Sequence, residues 1–277
     1  MFERLMLENI NLEKKLSREE YKRMLPSLQM RLYELEKACW DQGVPSVILF
    51  EGWDGSGKGS AISALSQRLD PRGFRLHSTQ PPRTFEQQYP WLWRFWLKVP
   101  SRGEMLIFDH SWYGRMLDER LDLLLSEEEW RRAGRDILDF ERVLADDGTS
   151  ILKFFFHISR KEQKKRLKAM DADPLESWRL RKEDWQHHKK YDEYVGVIEE
   201  MFELTDTDFA PWVIVEATST PYACRKVFDT VIAALERRLG SSAPPKKEPD
   251  VNDADLREVM ESLEEKDARD ARSNAQA

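Results

Sequence analysis

The stretch EGWDGSGKGS, from Glu51 to Ser60, sets Gly52, Gly57 and Lys58 at the spacing of a phosphate-cradling loop. Glycines let the backbone take conformations closed to other residues, so the N–H groups around Gly55, Ser56, Gly57 and Gly59 can approach an anion. A helix expected from Ala61 adds partial positive charge at its start. Lys58 is placed to contact a phosphoryl group in transfer, and Ser60 carries a hydroxyl for a phosphate oxygen. Such loops usually set Ser or Thr directly after the Lys as a ligand for a divalent cation, but here Gly59 intervenes. Another oxygen must then take that role. Asp54, inside the loop, is the candidate, because a carboxylate among phosphates is repulsive unless a cation stands between them.

A second carboxylate lies in MLIFDHSWYGR, where Asp109 ends an apolar run. At the carboxyl end of a parallel strand it would face the crevice in which ligands bind, to hold a divalent cation or orient a substrate. A helix N-cap is the ordinary alternative for such an Asp. His110 and Arg115 follow within reach of the same crevice, as phosphate contacts. Trp53 reads as a wedge under the loop, and Trp91, Trp93 and Trp96 as packing residues at helical spacing. His187 and His188, beside Lys189 and Lys190, have no His or Cys partner at ligand spacing and read as a solvated or phosphate-facing patch.

These residues need a scaffold. Five short apolar segments read as strands: Val47–Phe50, Phe74–Ser78, Met105–Phe108, Ile151–His157 and Trp212–Val215. Their hydrophobicity is nearly continuous, as expected for strands buried on both faces. Helical patterns alternate with them at Ala61–Leu69, Ser126–Leu144, Lys161–Met170, Tyr191–Leu204 and Tyr222–Leu239. Alternation of this kind predicts an α/β fold with a parallel sheet covered by helices on both faces. Residues 1–42 are expected to form an N-terminal helical extension, 43–240 the main domain, and 241–277 a charged, disordered tail after the linker SSAPPKKEPD. Within that tail, 253–266 can form a charged helix.

Hydrophobic residues make up 40% and charged residues 34% of the 277, which predicts a soluble globular protein. No apolar run approaches the roughly 20 residues that a bilayer demands. The N-terminus has no apolar signal-peptide centre, and two distant cysteines suggest no disulfide framework, so a cytoplasmic setting is expected. Of the net charge of −7, ten acidic and six basic residues from Ser241 onward account for −4. The near-neutral body has local cationic segments at 160–168 and 179–190. That pattern suits a compact anionic ligand better than nucleic acid or a membrane.

The motifs EGWDGSGKGS, PWLWRFW, GEMLIFDHSWYGR, WRLRKEDW and TDTDFAPWVIVEA, in this order and spacing, resemble the polyphosphate kinase 2 family over roughly residues 30–240. The resemblance implies a P-loop kinase-like, three-layer α/β/α fold with a five-stranded parallel sheet and a helical lid at about 160–190. It also implies homodimers or homotetramers, and phosphoryl transfer between inorganic polyphosphate and a nucleoside mono- or diphosphate. Asp54 and Asp109 would hold Mg²⁺ or Mn²⁺, Lys58 would bind phosphate, and the lid cations Arg166, Lys168 and Arg179 would close over the site. Arg83 and Glu86, in the loop after the second strand, would touch the acceptor nucleotide. The loop's Gly59 is ordinary for the family. Two features depart from its pattern: His110 stands where Arg is usual, and Met170, Glu176 and Ser177 replace lid cations. Each lost charge-assisted contact is worth roughly 1.5–3 kcal/mol. Either the basic neighbours compensate or the chain is a weakened relative that binds its ligands as a regulatory subunit. An ATP-dependent nucleotide kinase on the same scaffold is the remaining alternative.

Overall fold

The computed structural model describes residues 6–122 and 124–240. A short 3-10 turn at Leu7–Asn9 and an irregular segment precede helix α1 (Arg18–Gln42), so among the described residues the α-helical part of the N-terminal extension begins at Arg18. Ser17 caps α1 reciprocally with Glu20, its hydroxyl accepting from the Glu20 amide at 3.1 Å, and Gly43 ends it in a left-handed conformation (φ 67°). The chain then alternates β1 (Ser46–Gly52), α2 (Lys58–Ser66), β2 (Phe74–Ser78), α3 (Trp93–Trp96) and β3 (Met105–Asp109). Helices α4 (Asp118–Leu121) and α5 (Glu127–Asp146) lead to β4 (Ser150–His157). Helices α6 (Arg160–Ala172), α7 (Lys182–Lys189) and α8 (Tyr191–Thr205) precede β5 (Trp212–Glu216), and α9 (Thr220–Leu239) follows. The tail from 241, with its expected helix at 253–266, lies outside the described residues.

All five strands pair in parallel, in the order β2-β3-β1-β4-β5. Strands β1, β3 and β4 are buried along almost their whole length, as their apolar runs predict. Strand β2 departs from that expectation. It is an edge strand of sequence FRLHS with no position fully buried, since only one side has a pairing partner. Helices α1 and α2 pack with α9 in one layer, while α5 packs with α8 in the other. The first layer is tied by Arg31 of α1, whose Nε and Nη2 donate to Glu236 Oε1 of α9 at 3.0 and 2.8 Å. This is the three-layer α/β/α arrangement.

Register decides where chemistry can occur. Phe50 pairs with Asp109, Asp109 with Ser78, Gly52 with Phe156, and His157 with Glu216. The glycine-rich loop and Asp109 therefore emerge at the same carboxyl edge, beside the central strand. The chain leaves β1 toward β2 and β3 on one side and returns to β4 and β5 on the other. A crevice forms at that change of direction.

Candidate active site

The loop from Gly52 to Lys58 is built by close packing. A Cβ at Gly52 would lie 2.4 Å from the Phe156 carbonyl oxygen, and the residue has φ 132°, so only glycine fits against β4. Trp53 wedges the loop from below as expected. It is buried, stacks on Tyr191 with ring centroids 4.0 Å apart, and donates its indole N–H to His157 Nδ1 at 2.9 Å. Burial holds the His157 imidazole down at about 4, which keeps it neutral as an acceptor. The first helical backbone bond of α2 runs from the Ala61 amide to Gly57 O at 3.2 Å. The amides of Lys58, Gly59 and Ser60 precede it and have no helical acceptor. Lys58 is buried and donates to Gly52 O (2.7 Å) and Trp53 O (3.2 Å), so one of its three N–H bonds remains for an incoming oxygen. The Ser56 hydroxyl is buried without a partner.

Around this loop the fold gathers charges that sequence motifs did not assign. Glu51, at the end of β1, accepts from the Ser111 amide and hydroxyl, both at 2.7 Å, and faces His110 Nδ1 at 3.5 Å. Burial and Lys58 push the His110 imidazole down, but Glu51 overrides them and leaves it above its ordinary value. His110 sits at φ 58°, the one non-glycine positive φ among the described residues, which turns its side chain back toward Glu51. Asp54 faces His187 Nδ1 at 3.3 Å. Burial raises the Asp54 carboxyl, yet the His187 contact and the Lys58 charge outweigh that and hold it below the usual carboxylate range. Asp118 accepts from the Tyr194 hydroxyl at 2.5 Å, and its burial, reinforced by nearby Asp54, pushes its carboxyl up.

A cavity of about 10 Å³, the space of one water, lies among Glu51, Asp54, His110, Asp118 and Tyr194. It shares His110 and Asp118 with a cleft of about 970 Å³ lined further by Trp91, Arg94, Arg115 and His187. Arg115 is ion-paired to Glu119 and stands 5.7 Å from the Trp91 ring, whose indole donates to Asp136 at 3.2 Å. Trp91 is therefore a cleft wall, while Trp93 stacks on Tyr89 and Trp96 packs on Phe140. Glu86 also lines the cleft and faces Arg94 at 3.6 Å, whereas Arg83 is exposed and outside the lining.

His187 and His188 correct the solvated reading. Both are buried, His187 against Asp54 and His188 with its Nδ1 2.8 Å from Gln163 Oε1. Their helix, α7, turns that face inward. Glu51 could have been found as a carboxylate closing an otherwise apolar strand, but Asp118 and Tyr194 belong to no motif.

The lid cations divide. Lys168 is exposed on α6. Arg179 bonds Glu176 at 2.8 Å and stands 5.2 Å from the Trp178 ring, outside the cleft lining. Arg166, expected to contact phosphate, instead spends its N–H groups on Glu162 and four backbone carbonyls.

A divalent cation can be tested against this chemistry. Asp54 is held ionised, and Asp109 has no protein partner for its carboxylate among the described residues. Among those residues no group of three or more His, Cys, Asp or Glu side chains is arranged to hold a metal. Two hard carboxylates completed by phosphate oxygens and water are a fit for Mg²⁺, which seldom takes an all-protein cage. No helix among the described residues is long and apolar enough to cross a membrane.

The sequence profile of the family described as Polyphosphate kinase 2 matches residues 15–242. The chain is 36% identical over 235 residues to the Polyphosphate:AMP phosphotransferase of Pseudomonas syringae pv. tomato, covering 85% of this chain and 47% of that one. It thus spans about half the length of that protein and of similar phosphotransferases from Pseudomonas aeruginosa and Acinetobacter johnsonii. The AMP/ADP-polyphosphate phosphotransferase of Meiothermus ruber is 33% identical over 213 residues, 76% of this chain and 80% of that one. Among solved structures, Polyphosphate Kinase 2 from Arthrobacter aurescens TC1 superposes with a TM-score of 0.81 at 29% identity, covering 93% of each chain.

Proposed function

Because this chain belongs to the polyphosphate kinase 2 family, we propose that it transfers a phosphoryl group between inorganic polyphosphate and a nucleoside mono- or diphosphate. The observation that carries this reading is the junction of two features. An anion cradle of unpaired amides with a buried lysine opens beside a large cleft walled by Trp91 and Arg115. Phosphoryl transfer depends mainly on positioning and electrostatics, which such a site supplies.

In this reading the amides of Lys58, Gly59 and Ser60 and the free Lys58 N–H hold the oxygens of the transferring group. Asp54 and Asp109 would hold Mg²⁺ or Mn²⁺, which when bound neutralises charge on the phosphate oxygens. His110 and His187 keep the Glu51 and Asp54 carboxylates oriented. Lys168, and Arg115 from its ion pair with Glu119 at the cleft wall, would meet the phosphate chain, and the cleft receives the nucleotide near Glu86. The buried, unpaired thiols Cys39 and Cys224 suit a reducing cytoplasm. An assembly of two or four copies is part of the same reading.

The test incubates pure protein with Mg²⁺, long-chain polyphosphate and each of AMP, ADP, GMP and GDP, with Lys58→Ala as control. New nucleotide phosphate that is lost in Lys58→Ala, with the melting temperature held within a few degrees, is the expected result. Equal turnover in Lys58→Ala would overturn the assignment. The engagement of Arg166 and Arg179 within the protein favours one second reading, a weakened relative, for which Mg²⁺-dependent polyphosphate binding without turnover would be the signature.

A further inference from the structure

Arg166 lies on the first turns of α6, with its side chain only 19% exposed. Its Nε donates to Glu162 Oε1 at 2.9 Å. Its Nη1 donates to the Gly55 and Ser56 carbonyls at 3.1 and 3.0 Å, and its Nη2 to the Ala217 and Thr218 carbonyls, both at 2.9 Å. A guanidinium has five N–H bonds, and these five acceptors use all of them. None is left for a phosphate oxygen.

The four carbonyls belong to two loops that are distant in sequence. Gly55 and Ser56 form the phosphate loop, and Ala217 and Thr218 join β5 to α9. The loop also lies along the arginine itself: a Cβ at Gly55 would stand 3.5 Å from Arg166 Cβ, and one at Gly57 would stand 3.8 Å from Nη1. In a trans peptide the C=O and N–H point in opposite directions. Drawing the Gly55 and Ser56 carbonyls toward α6 turns the Ser56 and Gly57 amides the other way. The Ser56 amide is taken by Trp53 O at 3.0 Å, and the Gly57 amide directly precedes the orphan amides that open α2.

We propose that Arg166 is a positioning residue whose guanidinium joins the phosphate loop, the root of α6 and the β5–α9 loop into one rigid unit. It fixes the loop from which the anion-binding amides at the start of α2 spring and does not itself bind the anion. Lysine cannot replace it, because three donors from one point cannot span four carbonyls on two loops. Glu162, whose amide is capped by Ser159 Oγ at 3.2 Å, orients the fork by fixing Nε. Only the catalytic consequence of this unit rests on the phosphotransferase reading.

The test compares wild type with Arg166→Met, Arg166→Lys and Lys168→Met, using two readouts. The first is amide hydrogen exchange in segments 53–60 and 217–219. The second is the slope of log Kd against log salt for long-chain polyphosphate. Both Arg166 variants are expected to speed exchange in both segments on the order of tenfold or more, with the salt slope unchanged. Lys168→Met is expected to leave exchange unchanged and to lower the slope by about one, as loss of one phosphate contact does. Wild-type exchange in the Arg166 variants, or a slope lowered as in Lys168→Met, would overturn the proposal. Should Arg166→Met not fold, Arg166→Lys keeps the charge and decides the matter on exchange. A chain that bound no polyphosphate would refute the functional reading, while the exchange result would still decide the role of Arg166.

Discussion

Lys153 and Glu141 give a stability prediction of unusual size for a single pair. Lys153, on β4, donates to Glu141 Oε2 (2.9 Å), Tyr113 Oη (2.9 Å) and Thr205 O (2.8 Å), and both charged side chains are 0% exposed. The other Glu141 oxygen accepts from the Trp112 indole at 3.0 Å. Lys153→Met would leave a buried carboxylate without its ammonium partner. Removing one partner of a buried pair costs about 3–5 kcal/mol. At roughly 2–4 °C of melting temperature per kcal/mol for a domain of this size, the drop is about 6–20 °C. Glu141→Gln strands the ammonium instead and is expected to lose a similar amount. The double variant Lys153→Met/Glu141→Leu buries no lone charge, so the two losses are expected to be non-additive by ~0.5–3 kcal/mol. Urea and thermal unfolding read all three. Trp112 and Tyr113 are separated from Asp109 and His110 by Ser111 alone, so turnover is expected to fall along with stability. Single losses below about 1 kcal/mol, or losses that simply add, would refute the reasoning.

Further outcomes follow from single sites. Burial pushes the Glu36 carboxyl up to about 7; raised above its unfolded value, it favours the fold below about pH 4.5 and withdraws that support as pH rises through 7. Glu36→Gln is therefore expected to flatten the decline in melting temperature between pH 5 and 8, and an unchanged decline would contradict this. His157, held at about 4, contributes stability that is present above its unfolded value near 6.5 and is lost as pH falls through 4. Nitrogen NMR should find its imidazole neutral at pH 5, and protonation there would contradict the burial argument. Gly52→Ala must move the Phe156 backbone and is expected to cost ~2 kcal/mol or more. Gly59→Ala meets nothing within 4 Å inside a helix, so a gain of about 0.5–1 kcal/mol is expected in the same unfolding assay.

Apolar runs made the sheet legible: all five strands fall at the segments read as strands, although the edge strand β2 lacks the burial of the others, and the loop stands between a buried strand and a helix. Boundaries moved where neighbours decided them. Strand β1 runs to Gly52 because β4 pairs with it that far, and α1 begins at Arg18 because the Ser17–Glu20 capping box starts it there. Motifs gave the loop and Asp109, since short-range spacing encodes them. The acid–imidazole cluster was hidden, because His187 reaches Asp54 across 133 positions and Asp118 meets Tyr194 across 76. The family resemblance marked Arg166 as a lid cation facing phosphate, whereas its geometry, set by two distant loops, assigns its donors elsewhere.

The clasp between α1 and α9 also bears on how the chain is made. Helix α1 is synthesised before every strand of the sheet, yet Arg31 finds Glu236, 205 positions later, only when the last described helix has been produced. Arg225, which reaches the Met24 sulfur, arrives as late. Contacts of such separation close slowly, and a domain growing from the ribosome keeps its apolar surface exposed until they form. The first layer of the sandwich must therefore wait with one wall in place while the sheet is laid down strand by strand.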